Sequence, residues 1–181
     1  MSDLDAKQEE TIHDGPRFTV KRGTFGSGDG ERDREWIESP AAVAVVAYSD
    51  TEIYLVRQAR EAIGRDDVLE LPAGLMDVEG ESPLQTAKRE LEEEVGVEAA
   101  DWIEGPSYFS SSGMTDEITH VFFATGLTRT GDVEEGIDLV TWPLADVDGL
   151  IDAVSDAKTL VGLLWLRRAQ LIGGSPGTPA R

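Results

Sequence analysis

Three glutamates near the middle of the chain are spaced so that they could bind a metal ion. Glu90, Glu93 and Glu94 stand at positions i, i+3 and i+4, so in a helix they share one face at about 100° per residue, whereas Glu92 points elsewhere. Like charges at these spacings repel one another, and Mg²⁺ or Mn²⁺ suits a site built from carboxylates. A solvated acidic face shows the same pattern, so the glutamates alone leave both interpretations open.

The segment around these glutamates carries the signals of a short, capped helix. Ser82 and Pro83, with Gln85 three residues after the serine, form a capping-box pattern that predicts a helix start. Gly96 predicts its end. Apolar residues that would face a core recur along one stripe beside the glutamates: Leu84, Ala87, Leu91 and Val95.

The wider segment resembles the Nudix box, the signature of a family of pyrophosphate hydrolases. Residues 89–97 read RELEEEVGV, and Glu81 stands eight positions before Arg89, as that box requires. The family places five residues between the preceding glycine and the first glutamate, whereas six separate Gly74 from Glu81. This difference predicts a loop that is one residue longer.

Further segments resemble the ADP-ribose pyrophosphatase branch of that family, and the match spans most of residues 17–170. A proline often precedes the glycine of its glutamate-bearing loop, and serines stand there in this chain, which predicts a more mobile loop. The matching segments are 55–60 (LVRQAR), 69–75 (LELPAGL), 112–117 (SGMTDE) and 156–160 (DAKTL).

The resemblance implies a metal site and a residue that orients it. Glu90 and Glu94, with Glu93 close by, would bind Mg²⁺, with Mn²⁺ as the alternative ion, together with the backbone carbonyl of Ala73. Arg89 would hold one of these carboxylates in position.

The resemblance also implies a general base for the attacking water. Glu117 would activate or orient that water. In the competing assignment Glu93 is the base and Glu117 is mainly a metal ligand.

Four residues are assigned to substrate binding. Trp36 would stack on adenine, although a packing role is an equal alternative, and Arg60 would clamp a phosphate unless it pairs with an acidic residue. Leu75 would line the ribose pocket, and Gly113 lies in the loop before the proposed base. Glu70 is interpreted as structural.

Composition limits the classes of partner. The chain has 181 residues, no cysteine and a formal net charge of −20, which argues against nucleic acid or an anionic membrane as a partner. The N-terminal residues are acidic and polar rather than signal-like, and no apolar run could span a membrane. We therefore expect a cytoplasmic protein, and its excess of acidic residues resembles proteins adapted to high salt, which would screen the repulsion.

Turn signals and periodicity predict an α+β fold with a mixed β-sheet, and the order resembles the Nudix α/β/α sandwich with an N-terminal β-strand extension. One domain is expected over residues 17–171, with the extension at 17–40 and flexible tails at 1–16 and 172–181. The expected elements are a hairpin (18–22 with 34–38), strands at 42–48, 52–56, 121–124 and 139–142, and a helix at 157–171.

The family branch implies a homodimer in which the N-terminal strands of one subunit complete the site of the other. The hairpin from Phe18 to Glu38, taken as a two-stranded unit, would be marginal alone. Exchange with a partner subunit would stabilise it.

The expected activity is metal-dependent hydrolysis of ADP-ribose to AMP and ribose 5-phosphate. The alternatives are hydrolysis of another nucleoside diphosphate sugar or of a dinucleotide, because the box specifies only the cleavage chemistry. A non-catalytic sensor of nucleotide sugars is the remaining class.

Overall fold

The strands of the computed structural model, which describes residues 6–26 and 28–174, fall into two separate sheets. Packing divides the chain into two compact units. The first is Met1–Ala41 with Phe109–Ile118, and the second is Ala42–Tyr108 with Thr119–Arg181. A single domain over residues 17–171 stays a prediction.

The first unit contains an antiparallel sheet in the order β1-β2-β3. The predicted hairpin is present as β2 and β3, whose register pairs Thr19 with Glu38. A parallel bridge joins Ile37 to Thr115. The strands are β1 (Gln8–Asp14), β2 (Thr19–Phe25) and β3 (Arg32–Glu38).

The residues expected to form a flexible tail, 1–16, include strand β1, so that expectation is wrong for Gln8–Asp14. Every residue of β1 is exposed. A strand that buries neither face needs no alternating apolar residues, so its sequence, QEETIHD, does not indicate a strand. The strand is held by its pairing with β2 and by cross-strand ion pairs of Lys21 with Glu9 and Arg22 with Glu10, each at 3.3 Å. Residues 1–5 lie outside the described part of the chain.

Strand β1 also changes the argument for a homodimer. The hairpin is part of a three-stranded sheet, so it is not the marginal two-stranded unit that would need a partner. The homodimer stays a prediction that rests on the family resemblance.

The second unit contains a mixed sheet in the order β10-β5-β4-β9-β8, with β6 paired to β5 and β7 paired to β4. β4 runs parallel to β9 and antiparallel to β5 and β7, so the predicted mixed sheet is confirmed. The strands are β4 (Ala42–Tyr48), β5 (Glu52–Arg60), β6 (Arg65–Glu70), β7 (Ala73–Leu75), β8 (Val97–Phe109), β9 (Ile118–Arg129) and β10 (Asp138–Pro143).

Helices cover both faces of this sheet. Successive side chains of β4 point to opposite faces, so Val43 and Val45 pack with helix α1 (Pro83–Val95) in one buried cluster. Val46 packs in a second cluster with residues of α2 (Val147–Ala153) and α3 (Ala157–Ile172). The predicted α/β/α sandwich is confirmed.

Helix α3 has nearly the bounds predicted for it, residues 157–171. α3 continues to Ile172, one residue beyond its expected end, and Gly173 closes it at a φ of +62°. Of the expected tail at 172–181, residues 175–181 lie outside the described residues. No helix in the described ranges is long and apolar enough to cross a membrane.

Candidate active site

Helix α1 begins and ends as its sequence predicts. The backbone N–H of Ser82 donates to the Gln85 side chain at 2.9 Å, and the Gln85 N–H donates back to the Ser82 hydroxyl at 3.4 Å. Gly96 ends the helix at a φ of +69°, a left-handed conformation that favours glycine. These two ends fix the position of the three glutamates along the helix.

The three glutamates differ in burial. Glu90 and Glu94 are only 9% and 6% exposed, whereas the Glu93 side chain is 51% exposed. Burial raises the pKa of Glu94 to about 7 and also raises the pKa of Glu90, where the Arg89 guanidinium opposes the shift. Since burial penalises negative charge, these two carboxylates favour a nearby cation, as a solvated acidic face would not.

Strand β7 brings backbone against both buried carboxylates. The Ala73 N–H donates to Oε2 of Glu94 at 2.9 Å. A Cβ built on Gly74 would overlap the carboxyl group of Glu90, so only glycine leaves room for that side chain. The loop that is predicted to be one residue longer follows β7 (Ala73–Leu75), so it begins after the contact of Gly74 with Glu90.

Arg89 connects the acidic residues of the helix. Its Nη1 donates to Glu90 at 2.7 Å and to Glu93 at 3.0 Å, and its Nε lies 3.3 Å from Glu81. Although partial burial lowers its pKa, these carboxylates raise the pKa of Arg89 overall. The guanidinium is thus placed to orient two of the candidate ligands.

The donor set fits a hard divalent cation. It consists of two desolvated carboxylates, Glu90 and Glu94, beside the β7 backbone, all of them oxygen donors of the kind that Mg²⁺ and Mn²⁺ prefer. Within the described residues no three His, Cys, Asp or Glu side chains group closely enough to hold an ion by themselves. Mg²⁺ usually keeps several water ligands beside one or two carboxylates, so Glu90 and Glu94 are enough protein carboxylates for such a site.

Arg60, the predicted phosphate clamp, is engaged by a buried carboxylate. Its Nε and Nη2 donate to the two oxygens of Glu70 at 2.7 and 2.6 Å, and Glu70 is 2% exposed. This bidentate pair agrees with the structural interpretation of Glu70. The assignment of Arg60 to substrate stays a prediction.

Leu75 lies at the end of β7, where it pairs with Ala42. Its carbonyl accepts a hydrogen bond from Arg89 at 3.5 Å. The strand therefore runs from the Glu94 contact at Ala73 to the Arg89 contact at Leu75. The ribose-pocket role of Leu75 stays a prediction.

The first unit holds a cavity of about 600 Å³ that brings together two predicted substrate residues, Trp36 and Gly113. The indole packs edge to face against Phe25, with ring centroids 5.9 Å apart. Arg32 and Arg34 also line the cavity. The sequence analysis missed both arginines, although Arg32, Arg34 and Trp36 alternate along β3 and so lie on one face of it.

Glu117 also belongs to the first unit. Its carboxylate accepts a hydrogen bond from the Ser110 hydroxyl, and its backbone N–H donates to Oγ1 of Thr115 at 3.1 Å. These contacts fix the loop around the proposed base. Its catalytic role stays a prediction.

Comparisons with known proteins identify the family of this chain. The model of the NUDIX domain matches residues 38–164. An ADP-ribose pyrophosphatase of Mycobacterium tuberculosis is 42% identical over 134 residues, which cover 73% of this chain and 64% of that protein, slightly less than two thirds of its length. An ADP-ribose pyrophosphatase of Bacillus subtilis is 37% identical over 142 residues, 74% of this chain and 76% of that protein.

A longer match and a solved structure extend the comparison. The ADP compounds hydrolase NudE of Escherichia coli is 33% identical over 170 residues, 87% of this chain and 88% of that protein. A crystal structure of an ADP compounds hydrolase superposes with a TM-score of 0.80 at 28% identity, over 93% of this chain and 94% of that one. The predicted resemblance is confirmed: the chain, which buries Glu90 against Gly74 and Glu94 against Ala73, belongs to the Nudix family and is similar to its ADP-ribose pyrophosphatases.

Proposed function

We propose that this protein is a metal-dependent pyrophosphohydrolase that cleaves ADP-ribose to AMP and ribose 5-phosphate. The observation that carries the proposal is the burial of Glu90 and Glu94 against the backbone of Ala73 and Gly74. Two partly desolvated carboxylates are unfavourable without a cation. A pyrophosphate substrate also requires a cation, which neutralises its phosphate oxygens. The names of the two bacterial relatives, ADP-ribose pyrophosphatases, support the choice of substrate.

Mg²⁺ is the proposed ion, with Mn²⁺ as the alternative. Glu90, Glu94 and the Ala73 carbonyl would hold it, with Glu93 close by. When bound, such an ion neutralises phosphate oxygens that would otherwise repel the attacking water.

The reaction needs a base in addition to the cation. The oxygen of a water molecule bonds to one phosphorus, the bridging P–O bond breaks, and the base takes a proton from the water. Glu117 is the proposed base, because the resemblance places the family's loop glutamate at this position. Glu93, the alternative, accepts a hydrogen bond from Nη1 of the Arg89 guanidinium at 3.0 Å.

The arginine-lined cavity of the first unit supports recognition of a nucleotide. Trp36 and Phe25 offer aromatic surface for a base, worth about 1–3 kcal/mol for a stacked base. Arg32 and Arg34 line the cavity together with Glu35 and Asp116, and a guanidinium can bind a phosphate group with two hydrogen bonds.

The homodimer, the cytoplasmic location and the adaptation to high salt complete the proposal. The family resemblance supports the homodimer, and the acidic composition supports the adaptation to high salt. Sedimentation at working salt tests the dimer, and a monomer mass would refute it.

The experiment that tests the function is product analysis with ADP-ribose and a panel of nucleotide sugars and dinucleotides, with Mg²⁺ and with a chelator. We expect AMP to form fastest from ADP-ribose and only with the metal. Similar rates on several ADP compounds would favour the broader specificity that the name of the Escherichia coli relative indicates. Binding of nucleotides without cleavage would favour a sensor and contradict the proposal.

A pair of variants tests the base. Glu117→Gln should lower turnover by about 10²- to 10⁴-fold while the dependence on metal concentration stays unchanged. Glu93→Gln is the matched variant, with the same chemical change on the exposed side of α1. Near-normal turnover in Glu117→Gln, together with the larger loss in Glu93→Gln, would reverse the assignment.

A further inference from the structure

The segment between β6 and β7 is held by contacts from several elements of the second unit. The Pro72 carbonyl accepts from the Val45 N–H at 2.8 Å, and the Ala73 N–H donates to Glu94 at 2.9 Å. The Leu71 N–H donates to the hydroxyl of Thr159 at 2.9 Å, a contact across 88 positions of sequence. The helix α3 thus contacts this segment two residues before Ala73.

The Thr159 hydroxyl has a fixed direction. Thr159 is completely buried, and its hydroxyl donates to Oδ2 of Asp156 at 2.8 Å. Asp156 also caps α3 by accepting the Thr159 N–H at 2.9 Å. Because the one hydroxyl proton is used for Asp156, the oxygen presents a lone pair to the Leu71 N–H.

Tight packing leaves this contact little room to adjust. One turn further along α3, a Cβ on Gly162 would lie 2.6 Å from a methyl of Leu71 and 2.8 Å from one of Val46. The helix therefore approaches the sheet as closely as a glycine permits. Leu71 itself is 1% exposed, so water cannot replace the hydroxyl as partner of its N–H.

We propose that Thr159 is a positioning residue for the metal site: its hydroxyl, directed by Asp156, fixes the segment that carries Ala73 and thereby the contact of Ala73 with Glu94. The inference rests on the proposed function only in taking Ala73 and Glu94 as metal ligands. It gives a role to the DAKTL segment at residues 156–160. Groups that orient ligands in this way commonly alter metal affinity by about 10- to 100-fold when they are removed.

The test is the affinity of the full chain for Mn²⁺, measured by titration without substrate. Thr159→Val keeps the shape of the side chain and removes the hydroxyl. We expect its affinity for Mn²⁺ to fall by about ten-fold or more. Thr159→Ser restores the hydroxyl and should restore affinity to within about two-fold of wild type. Leu166→Ala is the control: it removes core packing from the same helix, lowers the melting temperature, and leaves Mn²⁺ affinity within about two-fold.

The outcomes separate this inference from the proposed function. Unchanged Mn²⁺ affinity in folded Thr159→Val, or an equal loss in Leu166→Ala, overturns the positioning role and leaves the hydrolase proposal untouched. Wild-type protein that binds Mn²⁺ but does not cleave ADP-ribose refutes the function while the affinity comparison still decides the role of Thr159. If Thr159→Val does not fold, Asp156→Ala carries the same test, because it removes the acceptor that directs the hydroxyl.

Discussion

Gly74 lies directly against the carboxyl group of Glu90, so closely that a Cβ at position 74 would occupy the same space. At this point the Glu90 side chain of helix α1 packs directly on the backbone of strand β7, because Gly74 has no side chain of its own. The burial of Glu90 against β7 therefore depends on the absence of a Cβ at position 74. This explains why a glycine is needed there although its backbone is not in a left-handed conformation.

Gly74→Ala should disable the site while leaving the fold intact. The added methyl displaces the Glu90 carboxylate, and a displacement of about 1 Å can lower turnover by about 100-fold. Overpacking should cost about 1–3 kcal/mol of unfolding free energy. Turnover of ADP-ribose and denaturant unfolding measure the two effects.

The matched control is Gly131→Ala, since a Cβ there meets no atom within 4 Å and the backbone angle is not positive. It should leave turnover near the wild-type value. Full activity of Gly74→Ala would show that Glu90 can move without loss and would contradict its role as a ligand.

Arg60→Met should destabilise the protein by leaving Glu70 buried without a partner. Breaking a buried pair costs about 3–5 kcal/mol, and because the Arg60 side chain is 33% exposed we expect the lower end, about 3 kcal/mol. The double variant Arg60→Met with Glu70→Leu removes the unpaired charge and should recover most of that loss. Denaturant unfolding of the three proteins measures it.

The same double variant tests whether Arg60 binds a substrate phosphate. With stability recovered, a Michaelis constant for ADP-ribose raised by roughly ten-fold or more would support the clamp. An unchanged Michaelis constant would leave only the structural pair with Glu70.

Features set by neighbouring residues could be predicted from the sequence. The capping box at Ser82 and Gln85, the end at Gly96 and the shared face of Glu90 and Glu94 all depend on spacings of a few residues. The unbroken apolar run of β4 likewise indicates a strand that is covered on both faces. Local rules therefore located α1 and its acidic face correctly.

Features set by distant residues could not be predicted in the same way. Thr159 bonds to Leu71 across 88 positions, and nothing near either residue indicates the other. Strand β1 carries no apolar pattern that could reveal it, since it is exposed and is stabilised by pairing with β2 and by ion pairs. The cavity beside Trp36 needs segments 25–36 and 109–116 together.

Trp36→Ala should weaken substrate binding more than it affects the chemical step. Loss of a stacked base costs about 1–3 kcal/mol, which would raise the Michaelis constant for ADP-ribose roughly 5- to 150-fold with little change in turnover. Trp36→Phe keeps an aromatic face and should show a smaller effect. A lower melting temperature with an unchanged Michaelis constant would instead assign the indole to packing against Phe25.

Salt should stabilise the protein. With a net charge of −20, repulsion between carboxylates opposes folding, and raising KCl shortens the Debye length from about 10 Å at 0.1 M to about 3 Å at 1 M. We expect the melting temperature to rise by roughly 5 °C over that range. Calorimetry with increasing KCl, and with sucrose as an uncharged control, measures the change in melting temperature. A melting temperature that does not change with KCl concentration would contradict the proposed salt adaptation.

Asp156 should contribute stability that depends on pH. Burial opposes its ionisation, but the charge of Lys158 and hydrogen bonds from Thr159 outweigh burial and lower the pKa of Asp156 below its ordinary value. A lowered pKa in the folded state means that the carboxylate stabilises the fold above the ordinary pKa of Asp, about 3.9, and that this stability is lost as the pH falls through the lowered value. At about pH 7, Asp156→Ala should cost about 0.5–2 kcal/mol, the usual effect of losing a helix cap.

The difference in unfolding free energy between wild type and Asp156→Ala, followed by denaturant titration at decreasing pH, isolates this residue from the other carboxylates. The difference should stay constant down to about pH 5 and shrink below about pH 4. A difference that is equally large at both ends of the range would mean that the protonated side chain caps α3 as well as the carboxylate does. In that case the hydroxyl of Thr159 would be directed by hydrogen bonding alone, and the charge on Asp156 would have no part in stabilising α3.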